Sequence, residues 1–96
     1  MSLFVVQHRH EARTCPAGDP RMGPMLLHHV SKPNAASMGI DIRGEAVIDG
    51  AHTFYLIMEA QDADRVKAFM APFYQIGTVE LWPASSCEAV VKRAQC

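Results

Sequence analysis

IDIRGEAVIDGAHTFYLIMEA, Ile40 to Ala60, sets two runs of strand-forming residues on either side of the pair Asp49-Gly50. Asp-Gly is a strong hairpin pair, because the tight turns that match strand twist need positive φ and glycine supplies it without steric cost. In the first arm, written here as Ile40 to Asp49, Ile40, Ile42 and Val47 alternate with polar neighbours, and Gly44 is the place for a bulge. The second arm, His52 to Ala60, is apolar enough to lie at the centre of a sheet.

The flanks of this hairpin read as helix on both sides, with a strand beyond each. Towards the N-terminus, Leu3 to Arg9 is a β-prone run, followed by a Pro- and Gly-rich loop, HEARTCPAGDPRMGP. Asp19 before Pro20 suits the capping of a helical turn, and Gly23-Pro24 marks the expected start of the helix itself. MLLHHVS continues that helix, with Leu26, Leu27 and Val30 expected on one side. Pro33 breaks its ladder and a short second turn, PNAASM, begins at Ser31 or Pro33 and stops at Gly39. Towards the C-terminus, Asp62 caps ADRVKAFMAPF, whose Val66, Phe69 and Met70 face inward and whose Pro72 ends or kinks it. Gly77 closes that segment, TVELWPA is the last strand, and Ser85 or Ser86 caps a final short helix, CEAVVKRA.

Strand, helix, strand, strand, helix, strand is the order of an α+β, ferredoxin-like βαββαβ sandwich, once crossovers are required to be right-handed. Residues 1–96 are then a single domain: a four-stranded antiparallel sheet in the spatial order fourth, first, third, second, helices over one face, and a short C-terminal helix. Tyr55 and Trp82 fall on the sheet. Its other face is left bare, and a bare apolar face on a chain of 96 residues predicts a homodimer built face to face.

Composition narrows the function classes. A net charge of −1 with no basic stripe gives no electrostatic footprint for nucleic acid. No apolar run is long enough for a membrane span, and His8 and Arg9 interrupt the apolar start before a signal-peptide core is complete, so a cytoplasmic location is expected. Cys15, Cys87 and Cys96 are odd in number and follow no framework spacing, so they are expected as thiols rather than disulfides. Cys87, at a helix start, is expected to be a small buried residue.

The chemistry gathers in QHRHEARTCP, Gln7 to Pro16. Strand alternation puts His8 and His10 on one face, within reach of one ion. The fold brings the start of the third strand, and with it His52, to the same sheet edge, and the loop after the first strand returns Cys15. His8, His10, Cys15 and His52 form a plausible ligand set for a transition metal, zinc or copper first and iron also, with Glu11 and Glu45 as an oxygen ligand or as acceptors that fix an imidazole tautomer. The competing reading takes the histidines as polar strand-end residues and Cys15 as a small loop residue. A Cys15-Pro16 thiolate on haem iron ranks below both. His28 and His29 are adjacent on one helix and read as structural or surface residues. There is no GxSxG and no Gly-rich phosphate loop.

These same residues carry a resemblance. His8-x-His10-x4-Cys15-Pro16, then His52-Thr53-x-Tyr55, then Phe69-x-x-Pro72 leading to a strand that ends near Pro83, resemble small bacterial and archaeal domains of unknown function in the broad ferredoxin-like, dimeric α/β-barrel group. The resemblance covers most of the chain and implies the fold, the dimer and the residues to watch. It implies no activity, and DPRMGPMLLHHVSKPNAASMG matches none of its motifs. Three functions remain open: a metal-binding sensor, carrier or small metalloenzyme; a metal-free enzyme or ligand-binding domain with His8 or His52 as general base and an apolar pocket on the open face; and a dimeric interaction or regulatory domain.

Overall fold

A computed structural model describes residues 1–96. Four strands, β1 (Ser2–Arg9), β2 (Asp41–Ile48), β3 (Thr53–Ala60) and β4 (Thr78–Ala84), form one antiparallel sheet in the order β2-β3-β1-β4. That is the expected order read from the opposite edge. Five α-helices, α1 (Met22–His29), α2 (Lys32–Ser37), α3 (Ala63–Phe69), α4 (Ala71–Tyr74) and α5 (Cys87–Lys92), and two short 3-10 turns complete the chain. None is long and apolar enough to cross a membrane.

The core lies between one sheet face and the helices. On β1 the buried residues are Phe4, Val6 and His8, alternating with half-buried Leu3, Val5 and Gln7 on the other face. Leu56, Met58 and Ala60 of β3 join the first set, and Leu26, Ala35, Val66, Phe69 and Phe73 close over them from the helices. The hairpin turns at Asp49-Gly50, with Gly50 at φ +74°. The register slips between Ile42 and Gly44, so the bulge sits at Arg43, beside the glycine singled out for it.

Side-chain caps set most helix starts. Asp62 Oδ1 accepts from Arg65 N at 2.9 Å, and Ser86 Oγ accepts from Ala89 N at 3.1 Å. Ser31 Oγ accepts from Asn34 N at a longer 3.4 Å. Asp19 Oδ1 accepts from both Arg21 N and Met22 N, at 2.8 and 2.9 Å. So α1 begins at Met22 under the Asp19 carboxylate, and not at Gly23-Pro24; Pro24 falls in the first turn, where a missing N–H costs nothing.

Three expectations are corrected. Leu27 does not share the buried side of α1 with Leu26: it is 69% exposed, and Leu26 is the one buried residue of that helix. His52 lies in the turn rather than on β3, at φ +49°. Cys87 is exposed, because α5 buries no residue.

Met70 separates α3 from α4, with Pro72 in the first turn of α4, and an imidazole takes a carbonyl near the end of each helix. The Phe73 N–H turns to the Met70 carbonyl, leaving the Phe69 carbonyl without that partner. His29 Nε2 donates to the Phe69 oxygen at 2.6 Å and stacks on the Phe69 ring, centroids 4.6 Å apart. His8 Nε2 donates to the Phe73 oxygen at 2.9 Å. A carbonyl only accepts, so in both rings the proton is on Nε2.

Candidate metal centre

The β1–β3 ladder pairs Arg9 with Thr53 and continues for one more bond, from the His10 N–H to the His52 carbonyl at 3.0 Å. His10 therefore stands opposite His52, and their rings meet edge to face with centroids 5.3 Å apart. The chain then turns twice in 3-10 geometry, at Ala12–Thr14 and at Pro16–Gly18. The Thr14 and Cys15 N–H groups bond back to the Glu11 and Ala12 carbonyls, which folds the Cys15 thiol under the two histidines. Potential ligand atoms of His10, Cys15 and His52 all lie within 4.8 Å of one another. Such a group can hold a metal ion.

His8 is the neighbour of this group, with its ring centroid 5.4 Å from that of His10. Alternation placed both rings on one face as expected. The Phe73 carbonyl, contributed from 65 residues away, takes His8 Nε2, and the ring is wedged between Phe54 and Phe73 at centroid distances of 5.1 and 5.2 Å. Glu11 turns outward to Arg13, at 2.7 Å, and Glu45 is exposed at the rim.

The nitrogens report what the group lacks. His10 Nδ1 and Nε2 and His8 Nδ1 are buried and have no hydrogen-bond partner. A neutral imidazole always carries one N–H, so His10 has at least one buried unpaired polar group, at a cost of about 1–3 kcal/mol. Burial pushes the His8 pKa below 6.5, opposed by the Phe73 bond and aided by His10. Burial also lowers the His10 pKa, and His52 lowers it further. Both rings are thus held neutral, the form that binds metals.

The sign of the pH dependence follows. With folded-state pKa values below the unfolded 6.5, the unfolded chain binds more protons in the window beneath that value. Thermal melts of metal-stripped protein should give a flat Tm above about pH 7.5 and a falling Tm below about pH 6.5. A Tm that rises on acidification would show that these imidazoles are not buried neutral.

A cavity of about 490 Å³ opens beside the group. Its walls include Leu26, Val30, Val47, Phe54, Phe73 and Ile76, and its polar end carries His8, His10, Cys15 and His52. The pocket expected on the open face is therefore on the helix-covered face. The reason is the poor cover that α1 gives: one buried side chain in eight residues leaves space above the end of the β2–β3 hairpin. Nothing in the sequence marked Phe54 and Phe73 as the rings that frame His8; their aromatic character was visible, their convergence was not.

No curated protein matches the chain significantly. A family model described as a domain of unknown function, DUF3303, matches residues 3–95. With nearly every residue from the first strand to the tail inside that match, the chain belongs to this uncharacterised family, whose ferredoxin-like fold here gathers two histidines and a cysteine at the end of the central β1–β3 pair.

Proposed function

We propose that this domain binds one transition-metal ion, zinc or copper, through His10, Cys15 and His52. The convergence of those three side chains, with both His10 nitrogens buried and unpartnered, carries the reading. Two imidazoles and a thiolate suit borderline-soft ions, and iron is the weaker fit. Three protein ligands leave a coordination position for water or a small molecule, and the ion would supply a Lewis acid next to the apolar cavity. Sensor, carrier and small metalloenzyme all share this site.

The test is elemental analysis of tag-free protein after reconstitution with zinc or copper(I). Wild type should hold one ion per chain, and His10→Ala and Cys15→Ser should each retain under a tenth of that. Metal-free wild type, or variants that keep a full complement, would overturn the assignment.

A second copy of the chain is the proposed partner, across the open sheet face. Val5 is flanked in register by Ile57 on β3 and Trp82 on β4, and the last two are 42% and 43% exposed. This row crosses the middle of the face opposite the core, where a charge would meet its symmetry mate's apolar row. Light scattering should give a dimer for wild type and a monomer for Trp82→Glu with its circular dichroism unchanged. Wild type that stays monomeric at high micromolar concentration would remove the second copy.

A further inference from the structure

His8 is fully buried, and one of its two nitrogens is accounted for. Nε2 carries the proton given to the Phe73 carbonyl, so Nδ1 keeps a lone pair and can only accept. No donor of the chain reaches it. The ring nevertheless forms part of the wall of a 490 Å³ cavity, a size typical of sites for small organic molecules. Around it the wall is Leu26, Val30, Phe54, Phe73 and Ile76, with no ammonium or guanidinium among the lining side chains. The lining also holds His10, Cys15 and His52 and the carboxylates of Glu45 and Asp49, but His8 Nδ1 is the one nitrogen that the Phe73 bond fixes as an unpartnered acceptor. An apolar body fits these walls, and a neutral hydrogen-bond donor is the head that satisfies His8 Nδ1.

We propose that this cavity binds an apolar-bodied alcohol or phenol whose hydroxyl donates to His8 Nδ1. The assignment stands on the His8–Phe73 hydrogen bond and the cavity walls, and it is independent of the metal reading. Nδ1 is covered in this conformation, and side-chain adjustments of the size common at binding sites bring a donor to it. At His8 Nδ1 a carboxylate head is disfavoured, since it would set an acceptor against an acceptor, and Glu45 and Asp49 in the lining repel it with no cation there to pair it.

Para-propylphenol and its methyl ether are the probes, because they share a body and differ in the donor. Titration calorimetry is run on metal-stripped protein and repeated on zinc-loaded protein. The phenol should bind about five- to tenfold tighter than the ether, the worth of one hydrogen bond to a group otherwise left unsatisfied. In proton–nitrogen correlation spectra of the imidazoles, the His8 Nδ1 resonance should move towards that of a hydrogen-bonded acceptor with the phenol and stay in place with the ether. Equal affinities with Nδ1 unmoved, or no binding of either probe, would overturn the proposal. The metal-stripped measurement reads the cavity alone, so a failure of metal binding leaves its result intact, and the reverse also holds. Wild-type protein suffices throughout, and no variant need fold.

Discussion

Gly77→Ala should destabilise the domain by about 3 kcal/mol, the upper range for forcing extra volume into a packed site. Gly77 sits between α4 and β4, directly over the end of β1. A Cβ there would overlap the Arg9 carbonyl oxygen and stand 2.9 Å from His8 Nε2. The oxygen belongs to a ladder residue paired with both Thr53 and Thr78, so it cannot retreat without opening the sheet on two sides. The Nε2 atom is held to the Phe73 carbonyl, so moving it breaks a buried hydrogen bond. Small domains have only about 5–15 kcal/mol in total, and much of that would be gone. Urea denaturation measures it, with Gly18→Ala and Gly44→Ala as controls, since an added Cβ meets nothing within 4 Å at either. If Gly77→Ala melts with the controls, the close approach of β4 to His8 is wrong, and with it the fixed imidazole on which the cavity proposal stands.

That glycine also shows where sequence reading stops. It was legible as a terminator between a helix and a strand; its real constraint, a backbone oxygen and an imidazole 68 and 69 residues earlier in the chain, is a product of packing. The same division runs through the site. The Asp49-Gly50 turn, the two-residue period of β1 and the antiparallel β1–β3 pairing are local or topological rules, and together they place His10 beside His52. They could not show that His52 is in a left-handed turn, because the hairpin loop runs two residues past the Asp-Gly pair. Nor could they show that the Phe73 carbonyl, near the end of α4, would take one nitrogen of His8. The path of Cys15 depends on two successive 3-10 turns whose sequence, EARTCPAGD, reads only as loop. The cavity was misplaced for a related reason. Periodicity put Leu26, Leu27 and Val30 on one side of a helix, yet α1 is short enough that its single buried residue leaves the chamber open.

Replacing His52 separates the fold from the metal, and two substitutions together do what neither does alone. His52→Ala and His52→Gly both remove one of the three proposed ligands, so on that proposal each should weaken zinc binding by more than the roughly hundredfold that loss of a mere supporting hydrogen bond produces. Their effect on the metal-free protein should differ. Residue 52 stands at φ +49°, where a Cβ crowds the following carbonyl at a cost of about 1–2 kcal/mol. Glycine is free of that strain but loses more entropy on folding, which returns part of the gain, about 0.4–1 kcal/mol. Metal-free His52→Gly should therefore be more stable than metal-free His52→Ala by roughly 0.5–1 kcal/mol, and at least as stable as wild type. A histidine at a strained turn position, where glycine would hold the chain better, is what the proposed ligand role of its imidazole would explain. Competition with a chelator of known zinc affinity reads the first effect, and urea midpoints of stripped protein read the second. An alanine variant that keeps its zinc would dismiss His52 as a ligand while leaving the turn geometry standing. Equal stability of the two variants would dismiss the left-handed turn, and the strain argument for a functional imidazole would go with it.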